Sequence, residues 1–388
     1  MKHAEIEDYL AARGGPFYNL QYRLRLLHES ALNAGRRAVI AVAIAWGVPL
    51  ILSLAAGRAF GEFQDRPFLL DLSVWTRFVI AIAVFILAEP LVETILRRNL
   101  IQLKPLLAPS ARPTAADAVA TALKRRDSAI AEAVCLLIAL SASSLTLWNL
   151  SDSARPIWAV SLQNDARTIL PAAWWCILVS SPMLYFLFLR GLWRHVVWAM
   201  LLSSLARLDM KLAVSHPDKN AGLGFIGDYP NAYTMFVFGV SCILGSAIAY
   251  HINEFGFSLQ TYGAIMAVWL GLVLIVFASP LAVFYRPLAA FKRSVLSQAG
   301  MLATHYFRRS EDKTLGRASS EDNPDDQAES LTDPSKVYDA AKKLSVVLLN
   351  RGAIVPVCAA ALLPLVAGGA TMFPFKEIWS VAKKLLLL

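Results

Sequence analysis

Six stretches of this chain stay apolar long enough to cross a bilayer as helices: residues 38–56, 74–96, 129–147, 172–189, 232–250 and 263–285. A hydrocarbon core of about 30 Å needs roughly 20 apolar residues, each adding ~1.5 Å. Lipid offers the backbone no hydrogen-bond partner, so each run must close its own bonds as a helix. A barrel would show alternating segments of about ten residues instead, and the chain has none. The pattern predicts an all-α, polytopic transmembrane helix bundle of six spans. An ambiguous apolar segment follows at 353–371, interrupted by Pro356, Pro364 and Gly368-Gly369.

The polar stretches divide the rest. Residues 1–37 read as a cytosolic arm, with Leu20, Tyr22, Leu24, Leu26 and Leu27 among Arg23, Arg25 and His28 as a short amphipathic helix on the inner leaflet. The six-span core, 38–307, carries long connections at 97–128 and 190–231. In the first, Thr114 to Asp117 reads as a capping box. The fourth span is expected to run on as one helix towards Val214, since only Gly191 interrupts it. Residues 308–336, rich in Ser, Asp, Glu and Asn, read as a disordered acidic linker. The rest, 337–388, is expected to hold an amphipathic helix at 337–350 and a membrane-associated segment. No internal repeat argues for a transporter fold.

Composition agrees with this layout. Of 388 residues, 57% are hydrophobic and 17% charged, where soluble domains carry about a quarter charged residues. The net charge of +9 is mostly a topology signal. Lys and Arg crowd the amino-terminal arm, the connections after the second and fourth spans and the segment after the sixth. The opposite connections hold only Arg58, Arg66, Arg77, Arg155 and Arg167. The positive-inside rule puts the amino terminus in the cytosol. A seventh span would export Lys376, Lys383 and Lys384, so the rule favours a tail that stays cytosolic. The basic residues form no groove-sized patch, which argues against nucleic acid. Cys135, Cys176, Cys242 and Cys358 all lie in apolar runs and read as packing residues.

Three features could carry chemistry. The first is a set of charges near one depth: Glu89, Glu93, Glu132, Arg190 and Arg194, with His195 beside them. Glu89 lies ~12 Å along its helix from Arg97, and a charge that deep needs a partner. Pro90 leaves the Ile86 carbonyl without its helical donor. An ion or proton site is one reading. Structural pairing is the other: Glu93 with Arg97 at i,i+4, and Glu89 with Arg190 or Arg194.

The second is the cytosolic loop Ser215-His216-Pro217-Asp218-Lys219-Asn220-Ala221-Gly222-Leu223-Gly224-Phe225-Ile226-Gly227-Asp228. His216-Pro217-Asp218 matches the J-domain tripeptide, but that domain's flanking helices are missing. Gly222, Gly224 and Gly227 match the dinucleotide fingerprint, which has force only between a strand and a helix. His216, Asp218 and Asp228 could ligate a metal, though in no recognised pattern. The plainest reading is a shaped turn, with Asp218 as its cap. The string resembles a loop of uncharacterised bacterial multi-pass membrane proteins, where an HPD-x-x-G-G-L-G-F-L type sequence sits between spans. Ala221 stands where the first glycine would be, and Ile226 replaces the last leucine. The resemblance implies membership of a membrane family and no activity.

The third is packing. Ser241, Gly245, Gly239 and Ser246 give the fifth span a small-residue face, and Ser141, Ser143, Ser144 and Thr146 make the third mildly polar. Trp174, Trp175, Trp193 and Trp198 read as interface anchors. No soluble hydrolase, nucleotide or paired-cysteine zinc motif occurs, so the chain points to no cofactor and no resident metal, and more away from an enzyme than towards one. The expected activity is moving or sensing an ion or small solute. The alternatives are a scaffold recruiting a cytosolic protein partner, and a membrane-bound enzyme or nucleotide binder using the glycine loop. The bilayer is the expected surrounding and a homo-oligomer a compatible state.

Overall fold

A computed structural model describes residues 9–27, 32–152, 156–163, 166–255, 258–315, 334–371 and 373–386. Among them, seven helices are long and apolar enough to cross a membrane: Ala34–Ala55, Leu72–Leu106, Pro109–Thr146, Pro171–Leu205, Gly224–Tyr250, Leu259–Asp312 and Arg351–Gly369. The all-α membrane bundle is therefore as the apolar pattern predicts, with one span more than the six expected. Its only strands among the described residues are β1 (Val160–Gln163) and β2 (Ala166–Ile169), an antiparallel pair aligning Val160 with Ile169.

The seventh span forms despite its interruptions, because both prolines sit inside a continuous helix and its glycines serve contact. Gly368 lies against the backbone of Gly245, where a Cβ would be 2.8 Å from the Gly245 carbonyl oxygen. The fifth and seventh spans thus meet through the small-residue face, as small-xxx-small packing requires. Ser241 accepts from Trp269 Nε1 at 2.9 Å, and Ser246 bonds Thr76 at 2.8 Å. The seventh span begins at Asn350, whose amide holds Asp228, and ends at Gly369 beside Tyr262 and Ile378. Tyr262 lies at the start of the sixth span, so the tail helix Phe375–Leu386 sits at the end of the bundle opposite the 206–223 loop. The expectation of a tail on the loop's side is corrected. The tail lysines lie on the tail's own amphipathic helix, with Lys383 over the Trp379 ring.

Three spans contain a wide π-helical turn, at Ala43–Gly47, Trp75–Ala81 and Cys176–Ser180. Such turns disturb the regular carbonyl pairing, and neighbouring side chains donate to carbonyls within two of them. Ser180 Oγ donates to Ala45 at 2.7 Å, Trp175 Nε1 to Ile44 at 3.0 Å, and Ser143 Oγ to Ile177 at 2.5 Å. The serines of the third span therefore serve packing at least at Ser143.

The connections depart from several expectations. The third span opens at Pro109 with Pro113 in the first turn of helix Arg112–Arg126, which has no side-chain cap, so the capping box at Thr114 does not form. The fourth helix stops at Leu205 instead of running on. Its continuation pairs with the 106–108 segment, Lys211 N donating to Leu106 O at 2.7 Å and Ala108 N to Asp209 O at 3.0 Å. The start of the expected linker is helical, because the sixth span continues as Tyr285–Thr314. Helix Pro334–Lys343 covers its end, and residues 316–333 lie outside the described set. The helix expected at 337–350 ends at Lys343, where Lys292 Nζ binds the carbonyls of Lys342 and Leu344. The four cysteines are buried and free.

Candidate functional site

The charges singled out by depth do meet, around a segment that hydropathy had marked as an exposed arm. Residues 9–15 form a strap that enters the bundle. Tyr9 is fully buried against Trp198, with ring centroids 5.9 Å apart. Burial pushes the Tyr9 hydroxyl up to about 12 against the opposing pull of Arg126 and Arg194. Trp198 is therefore core and not an interface anchor: it has no solvent exposure and packs on Tyr9 and Tyr229.

Polar contacts hold the strap and the helix start that follows it. Arg194 donates to the carbonyls of Ala11 at 2.5 Å and Gly14 at 2.9 Å. Arg126 donates to Leu10 O at 2.6 Å and pairs with Asp127 at 2.7 Å. Glu132 accepts from Phe17 N at 2.7 Å, at the start of helix Pro16–Arg23. Arg13 pairs with Glu93 at 3.1 Å. Glu93 therefore does not take Arg97 one turn away; Arg97 is exposed, and the strap offers a cation where the carboxylate is buried. Gly14 and Gly15 have φ of +84° and +88°. A Cβ at Gly15 would lie 2.6 Å from Glu132 Oε1, and one at Gly14 would collide with Asp127. The glycine doublet thus supplies both the left-handed backbone and the clearance.

Beneath the strap the remaining charges form a chain. Arg37 donates to Glu89 at 2.6 Å, Arg190 to Glu89 at 2.9 Å, and Arg190 to Glu132 at 3.1 Å. Phe17 covers the Arg190 guanidinium at 5.1 Å. Glu89 does take Arg190, as the pairing reading holds, and also Arg37 at the start of the first span. Helix Ile82–Leu103 continues through Pro90. Next to these groups lies a cavity of about 50 Å³, lined by Glu89, Arg190, Arg194 and Tyr233, by apolar walls that include Phe85 and Phe236, and by Ala11 and Ala12 of the strap. That volume holds a few water-sized particles. His195 faces elsewhere: its Nε2 meets Val276 O at 3.0 Å among Tyr229, Tyr233 and Phe277.

The glycine loop is a separate, locally closed unit. One Asp218 carboxylate accepts from the amides of Asn220 (2.9 Å), Gly222 (3.1 Å) and Gly224 (2.8 Å), with His216 Nδ1 at 2.8 Å. Burial works to raise the Asp218 pKa, but the three amides and His216 outweigh it and hold the group below its ordinary value. The shaped turn capped by Asp218 is the reading the geometry supports. The loop's amides point at its own carboxylate, and the glycines lead into helix Gly224–Tyr233 from a turn and not a strand, so a phosphate cradle has no support. Asp228 pairs with Asn350 at 2.5 Å, away from His216. Among the described residues no three His, Cys, Asp or Glu side chains gather as a metal site. The loop also docks on segment 344–350: Asn220 Nδ2 donates to the carbonyls of Ser345 and Val347, each at 3.2 Å, and Ser345 N to Lys219 O at 2.7 Å. Gly227 leaves room for Leu348 O.

The strap was missed because its sequence is polar at both ends. The available signal was Tyr9-Leu10-Ala11-Ala12, a short apolar run closed by Gly14-Gly15. No protein-family model, no curated protein and no solved structure matches the chain.

Proposed function

We propose that this integral membrane protein binds or passes an ion or small solute through the charged chamber, with the strap as its gate. The observation that carries this is that Ala11 and Ala12 form part of the chamber wall while hydrogen bonds from Arg194 and Arg126 hold that wall by its backbone. Such a wall, anchored by these polar contacts and by the buried Tyr9 ring, can leave while the contacts between the spans stay in place. The charge distribution favours a bacterial inner membrane with the strap and loop 215–228 on the cytosolic side. Reconstitution in liposomes tests the reading. A variant lacking residues 1–15 is expected to show at least tenfold faster solute flux than the full chain. Flux no greater than in protein-free liposomes from either form would overturn it.

A second reading rests on the sixth helix. Beyond the bundle it carries Met301, Leu302 and Phe307 at 60%, 52% and 48% exposure. These exposed apolar side chains suit a scaffold binding a cytosolic protein.

A further inference from the structure

The chamber's charge balance points to the sign of its ligand. Arg190 and Arg194 line it against Glu89, while Arg37 and Glu132, bonded to Glu89 and Arg190 behind the wall, add one charge of each sign. The remaining pairs, Arg13 with Glu93 and Arg126 with Asp127, are each neutral. One positive charge is thus unmatched among the described residues. It belongs most nearly to Arg194, whose Nη atoms reach only the carbonyls of Ala11 and Gly14. Arg194 is 8% exposed and Arg190 4%. A guanidinium taken from water without a counter-charge is costly, and carbonyl dipoles offset only part of that cost.

A second, independent feature favours an anion. Tyr233 lines the cavity, is 4% exposed, and has a hydroxyl without a hydrogen-bond partner among the described residues. A buried donor of this kind calls for a bound group that accepts. A cation would meet two guanidinium groups and no spare carboxylate. The apolar walls would strengthen that repulsion, and strengthen an anion's attraction equally. The volume of about 50 Å³ suits a halide or an oxyanion of a few atoms.

We propose that the chamber binds one small monovalent anion, held by Arg190, Arg194 and the Tyr233 hydroxyl. The assignment rests on reading the chamber as the solute site and adds the ligand's class. The test uses the purified full chain in detergent at fixed ionic strength, with sodium gluconate replaced stepwise by chloride, nitrate or formate. A saturable rise in Tm of several degrees is expected, indifferent to exchanging sodium for potassium or choline. Arg194→Gln should abolish the rise. Tyr233→Phe, which keeps the ring packing, should move its midpoint about tenfold to higher concentration, and it decides the matter where Arg194→Gln fails to fold. No rise, a rise that follows the cation, or one unchanged in Tyr233→Phe would overturn the assignment. Flux through the strap-deleted form separates the two readings. Flux without anion binding removes the anion and leaves the gate; saturable anion binding without flux keeps the site and removes the gate.

Discussion

The two polar clusters of this molecule are built in opposite ways. In the loop, Asp218 draws its partners from within six residues, and a single side chain organises the turn. In the chamber, Glu89 meets partners 52 and 101 residues away, and Glu132 one 115 residues away. The loop closes its own hydrogen bonds locally and docks on segment 344–350. The chamber exists only when the strap and the second, fourth and fifth spans are in place, with Arg37 of the first and Glu132 of the third completing its chain of charges. A cluster assembled from so many segments stores the state of the whole bundle, and so suits switching. A cluster closed on itself suits holding shape.

The contrast is sharpest in the cost of losing one carboxylate. Glu89→Ala would leave Arg37 and Arg190 without a shared partner in a site where Arg37 and Arg190 are each 4% exposed. Breaking a buried pair by removing one side costs about 3–5 kcal/mol. Thermal or denaturant unfolding in detergent is expected to show a loss of that size. Adding Arg37→Gln to Glu89→Gln should recover part of it, because the second change removes a stranded charge. A loss under about 1 kcal/mol for Glu89→Ala would mean that water already screens the cluster.

The same difference in construction decided what could be read in advance. Apolar runs announce spans, so the bundle was legible. The seventh span was obscured by Pro356 and Pro364, which an otherwise continuous helix absorbs, and by Gly368, whose value appears only beside Gly245. The Asp218 turn could be read because its donors are neighbours in sequence. Glu93 could not be matched to Arg13, because the i,i+4 rule offers Arg97 and nothing local ranks a residue eighty positions away. Depth alone brought Glu89 and Arg190 together, since both spans cross the same slab. Arg37 and the strap lie outside the runs that define depth. The tail lysines misled for a related reason: the charge rule counts residues, while an amphipathic helix such as Phe375–Leu386 lets its cations stay in water on either side.

The strap offers an intermediate effect. Gly15→Ala places a methyl group at 2.6 Å from Glu132 Oε1 on a backbone at positive φ, which costs about 1–2 kcal/mol before any collision is counted. The spans themselves are untouched. The expected result is a strap that detaches from a folded bundle. With Ala12→Cys as reporter and the four native cysteines buried, labelling by a membrane-impermeant maleimide should quicken at least tenfold on adding Gly15→Ala, with Tm changed by only a few degrees. Equal labelling rates would show that the strap tolerates the methyl group and is not held at the doublet. Global unfolding would show that the strap is part of the core and not a gate.

The loop should give the smallest effect and the only one with a defined pH window. Asp218 has its carboxyl held below its ordinary value by three amides, so its contribution is fully present above the unfolded pKa of about 4 and is lost as pH falls through the lower folded value. Asp218→Asn keeps the shape but weakens the acceptor, at a cost of about 1–2 kcal/mol. The difference in Tm between wild type and Asp218→Asn is therefore expected to be constant from pH 8 to about pH 5 and to close only below about pH 4. A gap closing on the acid side assigns the turn to the ionised carboxylate and the amides that face it; a gap unchanged down to about pH 3 would show that the charge of Asp218 does not hold the loop.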